Sequence, residues 1–271
     1  MRIYARFAQP ILVIFFFTSW VMPQQRLLLV GGGIRPKEAT RQFVEWAGND
    51  KATILIITWA SGVPEESFEA ARKDFDEFKT ASIENAPIAP LDPTKRERLL
   101  SQLKSATGIF FTGGDQNRIM DVLKDEELLT LLKQRYASGT PFGGTSAGEA
   151  VMSDPMMTGD ADLTILNGSK VGTRKGLGLL PDAILDQHFI KRQRQNRLFG
   201  LIMLHPEMLG VGIDENTALL VRDNRSAKVV GETHVMFVDG RSRKGAFLVH
   251  ILKSGDVFDL KRRKPVAGAG S

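Results

Sequence analysis

The chain has no cysteine, which removes thiol nucleophiles, thiolate-ligated zinc and disulfides together. It also lacks a strong excess of either charge. The 36 Lys and Arg stand against 31 Asp and Glu, a surplus of +5 that falls short of the concentrated basic face of nucleic-acid binders. No apolar stretch reaches the ~20 residues that cross a bilayer as a helix. No internal repeat and no long linker divides the chain, and no His/Asp/Glu cluster has metal-ligand spacing. Neither a metal nor another cofactor is expected, and nucleic acid is excluded as a partner.

What remains is ordinary globular composition, 42% hydrophobic and 25% charged over 271 residues, enough to bury a sizeable core. The first residues are distinct. Arg2 and Arg6 precede an apolar run over 11–17, extended by Trp20 to Met22, which is the grammar of an export signal. A signal peptide over 1–24 is therefore expected, with a periplasmic or extracellular protein, absent disulfides being compatible with either compartment. The Met22-Pro23-Gln24-Gln25 stretch lacks a small-x-small cleavage pattern, so an uncleaved membrane anchor is the alternative, and a cytoplasmic protein the second.

From residue 26 onward, β-type runs alternate with amphipathic helical stretches. Strands are expected at 26–30, 52–58, 107–112 and 141–145, with helices at 36–47, 65–80, 94–104 and one or two over 118–136. Such alternation implies a mostly parallel sheet covered by helices on both faces. The last quarter changes to short strands at 211–213, 218–221, 228–230, 235–238 and 246–252, an antiparallel extension attached to the sheet edge. The expected organisation is one α/β domain over 25–262 and a flexible tail over 263–271.

Gly144-Thr145-Ser146-Ala147-Gly148 fits G-x-S-x-G where a strand should turn into a helix. A serine nucleophile needs that sharp turn, and the helix N-terminus favours developing negative charge. The loop Thr112-Gly113-Gly114-Asp115-Gln116 follows the preceding long strand and opens at the same sheet edge, so Gly114 and Ala147 N–H groups could form an oxyanion hole. Among the four histidines, His188 in Ile184-Leu185-Asp186-Gln187-His188-Phe189 is the preferred base. His205, His234 and His250 read as structural or surface groups. An orienting acid in the order Ser–acid–His would be Asp154, Asp160 or Asp162, with Asp186 a further option.

Four blocks in order carry a resemblance: the serine motif continuing through Ala150-Val151-Met152-Ser153, the segment 111–116, Gly176-Leu177-Gly178-Leu179-Leu180-Pro181 with Asp186 to Phe189, and Gly212-Ile213-Asp214-Glu215. From about residue 26 to 240 the chain resembles the cyanophycinases, exopeptidases of the S51 serine peptidase family that also contains aspartyl dipeptidase. The resemblance implies the flavodoxin-like sheet of class I glutamine amidotransferases, with Ser146 in place of their cysteine and His188 as base. It implies pocket residues at Gln116, Asp186, Gln187, Arg192, Arg194 and Arg197. The implied substrate is a polymer rich in aspartate and arginine, cyanophycin, cut to β-Asp-Arg dipeptides. The family's third triad member is expected within 154–162, at Asp160 or Asp162. Glu149 departs from the pattern: a small residue is commoner directly after the elbow.

Residues 191–197 are expected to open a helix running to Leu204, with Lys191, Arg194 and Arg197 on one ridge. Cations at a helix N-terminus are locally unfavourable, which suggests a use as carboxylate receptors. Asp186 would conversely receive a substrate guanidinium. The alternatives are an aspartyl or isoaspartyl dipeptidase acting on short peptides and an inactive binding protein. An α/β-hydrolase esterase is the weakest, having no role for the arginines. A homodimer is left open.

Overall fold

The computed structural model describes residues 24–243 and 245–268. The apolar run before residue 24 and the end of the tail lie outside the described residues.

The first half runs β1 (Arg26–Val30), α1 (Lys37–Ala47), β2 (Thr53–Ile57), α2 (Pro64–Asp76), β3 (Ser82–Asn85), α3 (Pro93–Ser105), β4 (Gly108–Phe111), α4 (Gln116–Val122), α5 (Glu126–Ala137), β5 (Phe142–Thr145) and α6 (Ala147–Ala150). The second half adds β6 (Met156–Ala161), β7 (Val171–Arg174), β8 (Ala183–Gln187), α7 (Gln195–Leu204), β9 (Leu209–Ile213) and β10 (Thr217–Arg222). It ends with β11 (Ser226–Gly231), β12 (His234–Arg243), β13 (Ala246–Lys253), β14 (Val257–Asp259) and β15 (Lys264–Pro265).

Nine strands form the main sheet in the order β15-β14-β11-β10-β1-β5-β4-β2-β3. The β1, β5, β4, β2 and β3 neighbours pair in parallel, and β10 joins β1 antiparallel. The continuous apolar runs read as buried on both faces, and parity sorts them. Leu28, Val30, Ile54, Ile56 and Phe110 face the core built with Phe43 of α1 and Phe75 of α2. Leu27, Leu29, Leu55, Ile57 and Phe111 face the opposite core, with Leu99 and Leu103 of α3 and Leu128 and Leu132 of α5. Gly48 closes α1 in the left-handed conformation at φ 113°, its N–H capping the Glu45 and Val44 carbonyls. Asp125 divides α4 from α5, its carboxylate capping the Glu127 and Leu128 N–H groups.

The C-terminal strands are not one extension of the sheet edge. β10, β11, β14 and β15 do continue it, but β13, β12, β9 and β8 form a second sheet. That sheet packs on the α3/α5 side of the first, with Val211, Ile213, Val235 and Phe237 in the same core and Phe237 stacked on Phe258 at 3.9 Å. Helix α7 covers its other face through Leu198 and Ile202. The pattern in β8 was hidden because its Ala-Ile-Leu-Asp-Gln run ends in polar residues that are nevertheless fully buried. The expected domain end at residue 262 also falls too early. Arg263 is buried, ion-paired with Asp239 at 2.9 Å, and Lys264–Pro265 pairs with β14.

Phe110 meets Phe43 and Phe75 edge-on at 6.0 and 5.3 Å with no solvent exposure. Phe110→Ala should therefore lose about 3–5 kcal/mol of stability, read as a lowered urea midpoint. A loss below about 1 kcal/mol would mean that this aromatic triad is not packed as described.

Candidate active site

Ser146 sits between the end of β5 and the start of α6, with φ 53° and ψ −112°. A non-glycine residue held there is strained, and neighbouring structure enforces it. Its N–H is fixed on the Val30 carbonyl at 2.9 Å. Glycines make the turn possible: a Cβ on Gly144 would lie 2.1 Å from the Gly148 carbonyl oxygen, and one on Gly148 would lie 2.2 Å from that of Phe111.

His188 follows β8 and donates its backbone N–H to Gly31 at the end of β1, 2.7 Å away. Its Nε2 lies 2.8 Å from Ser146 Oγ. Its Nδ1 lies 2.7 Å from Glu215 Oε1. Glu215 is carried just beyond β9, beside β8 in the parallel register Gln187↔Ile213, so the two strand ends deliver histidine and carboxylate side by side. Thr217 and Thr233 hydroxyls hold the Glu215 carbonyl at 3.2 and 3.1 Å.

The arrangement is a hydroxyl bonded to an imidazole whose far nitrogen is held by a carboxylate. Such a chain can take the hydroxyl proton as oxygen adds to a carbonyl. Burial pushes the imidazole below its ordinary value; Glu215 opposes that shift, and the charges of Arg192 and Arg194 add to it. The imidazole is thus poised neutral, the form that accepts a proton.

The carboxylate on His188 is Glu215 and none of the expected aspartates. Asp160 is exposed and bonded by the Thr158 hydroxyl at 3.1 Å, and Asp162 by Thr164 at 2.6 Å. Both lie on or just after the β6 ribbon, and Asp154 is likewise exposed before it. The signal in the sequence is the Gly212–Glu215 block, an acidic pair ending an apolar strand, which lies after the histidine and so outside the order Ser–acid–His. Asp214, next to Glu215, is structural, accepting from the Ile190 and Lys191 N–H groups at 3.2 and 2.9 Å.

The Gly113–Gly114 loop does lie beside the serine: a Cβ on Gly113 would come 3.8 Å from Ser146 Oγ. Ala147 opens α6, so its N–H is among those without an intrahelical partner. Gln116 is buried and donates to the Met157 carbonyl at 2.7 Å, tying α4 to β6. Gln187 is buried too, and its Oε1 has no hydrogen-bond partner.

The arginine ridge does not form. Helix α7 begins only at Gln195, because Gln193 adopts φ 51° and Asp214 holds the preceding turn. Arg192 is exposed, whereas Arg197 is 2% exposed and grips both carboxylate oxygens of Asp186 through Nε, at 2.9 Å, and Nη2. Asp186 is therefore already occupied and does not offer itself to a guanidinium. Arg194 donates to the Gln187 carbonyl at 2.8 Å and stands 3.8 Å from Asp186. Burial, with Arg197 next, lowers its guanidinium to about 10. Among the described residues, no group of three or more His, Asp or Glu side chains could hold a metal ion.

Residues 27–229 match the model of peptidase family S51. The chain is 34% identical over 256 residues to a cyanophycinase of Trichormus variabilis, covering 88% of this chain and 86% of that protein. A cyanophycinase of Geminocystis herdmanii is 32% identical over 261 residues, covering 89% and 96%. A solved peptidase from an acI-B1 Actinobacterium shares the fold, with a TM-score of 0.67 at 23% identity, over 88% of this chain and 97% of that one. A family model matched across most of the folded chain, with relatives related along nearly their whole length, establishes that the chain belongs to peptidase family S51 and is a serine peptidase.

Proposed function

We propose that the enzyme hydrolyses cyanophycin, multi-L-arginyl-poly-L-aspartate, to β-Asp-Arg dipeptides. Ser146 is the nucleophile, His188 the base and Glu215 the orienting acid. Ser146 Oγ adds to a backbone carbonyl as its proton passes to His188 Nε2; that proton then leaves with the departing amine, and water releases the acyl group. The N–H groups of Gly114 and Ala147 receive the oxyanion, donors worth about 3–4 kcal/mol each in such sites. The observation that carries the reading is the continuous chain of hydrogen bonds from Ser146 through His188 to Glu215. Arg192 and Arg194, whose charges reach His188, support an anionic substrate. The kinship with cyanophycinases supports the polymer.

Incubation with insoluble cyanophycin, read by mass spectrometry of soluble dipeptide, tests this. Ser146→Ala and Glu215→Gln should each lose about 10⁴-fold in rate. Asp160→Asn and Asp162→Asn should stay within about threefold, as exposed positions do. A loss at Asp160 or Asp162 matching that at Glu215 would overturn the assignment of the acid. Release only from short aspartyl peptides would move the substrate to a dipeptidase's.

The pH profile gives a second test. Because the folded imidazole titrates below the ordinary 6.5 and must be neutral to act, the acid limb of kcat/KM should rise through an apparent pKa below that value. Glu215→Gln removes a group that raises it, so the residual activity should show the limb shifted further to acid. A wild-type limb at or above 6.5 would count against His188 as the base.

A further inference from the structure

Glu149 lies three residues after Ser146, on α6, and the chemistry above makes no use of it. Its side chain is 0% exposed, and neither carboxylate oxygen has a hydrogen-bond partner. An ionised carboxylate left so would cost several kcal/mol, so a site of this kind holds the neutral acid. Burial, and then the charge of Asp186, push this carboxyl well above its ordinary value, while Arg194 and Arg197 pull the other way.

Helix α6 packs against β4, β5, β8 and α4. Strands β4 and β5 bring no charged side chain, and β8 brings Asp186. On α4, Arg118 and Asp121 are both exposed. The start of α7 adds Arg194, at its N-cap, and Arg197 in its first turn. Asp186 spends both oxygens on Arg197, leaving Arg194 with a neutral carbonyl as its hydrogen-bond partner. With Glu149 neutral, the cluster holds two cations against one carboxylate. With Glu149 ionised, it balances.

We propose that Glu149 is a positioning residue that acts through Arg194: while uncharged it leaves Arg194 as the receptor for a substrate carboxylate, and when ionised it takes up that charge and weakens the binding of anionic substrates. This rests on the reading of the arginine side of the site as the place where acidic substrate groups bind. Anion binding and Glu149 ionisation are then coupled, and the coupling is reciprocal.

Two measurements on the full chain decide it. The first needs no substrate. The folded protein keeps a proton on Glu149 that the unfolded chain releases near the ordinary 4.5, so wild-type stability falls with rising pH relative to Glu149→Gln. The gap between the two melting temperatures should therefore change steadily in favour of the variant as pH is raised above that value. A pH-independent gap would overturn the proposal. The second is calorimetric titration with N-acetyl-L-aspartate, a small dicarboxylate probe. Wild type should bind it at least about fivefold more weakly at about pH 9 than at about pH 6, while Glu149→Gln should show no such change. Arg194→Gln should bind weakly at both. An equal fall in wild type and Glu149→Gln, or no binding by wild type at either pH, would overturn the proposal. Failure to cleave cyanophycin with these binding results intact would fall on the substrate reading alone. Glu149→Ala serves in both measurements should the buried amide unfold the protein.

Discussion

The hydrogen bond between Ser146 and His188 joins two sheets. Ser146 directly follows β5 of the nine-stranded sheet, and His188 directly follows β8 of the four-stranded one. A bond of 2.8 Å tolerates little error, so the packing of one sheet on the other is the constraint on which the site depends. Apolar contacts from Val211, Ile213, Val235 and Phe237 set the distance between the layers. Backbone bonds set the alignment: His188 N–H to Gly31 and Asn216 N–H to Gly32, at 2.7 and 2.9 Å, stitch the second sheet's loops to the end of β1. Gly32 must lack a side chain there, because a Cβ would lie 2.1 Å from His188 Cε1.

The site is built from groups that are individually unfavourable. Ser146 and His188 both have positive φ, at 53° and 49°. Asp186 and Arg197 form an ion pair out of water, and Glu149 carries a buried carboxyl with no partner. Strain and desolvation of this sort persist only when surrounding structure over-determines them. Here the surroundings are well-packed parallel strands on one side and α7 with β8 on the other. That rigidity gives Arg194 its character: a half-satisfied cation whose hydrogen-bond partner is the backbone of the residue next to the histidine.

Much of this was legible in the chain. The runs at β1, β2 and β4 are almost continuously apolar, as strands buried on both faces require, and the helices between them have one apolar face. The G-x-S-x-G turn announced Ser146 because its glycines answer a local steric demand. The S51 resemblance, now matched over 27–229, came from the same local blocks. By contrast β3, with Ser-Ile-Glu-Asn at the sheet edge, and β8, ending in buried Asp and Gln, carry no pattern that separates them from loops.

Local sequence, then, determined the parallel sheet, the helices that cover it, the serine elbow and the preferred histidine, because each depends on neighbours within a few residues. Tertiary structure alone decided which carboxylate meets His188 and where the arginines lie. Glu215 is 27 residues from His188 in sequence and reaches it only because β8 and β9 pair in parallel. Arg197, expected on a ridge of carboxylate receptors, is instead buried against Asp186. Order along the chain cannot reveal such partners, since strand pairing and the burial of charge are settled by which segments the fold brings together.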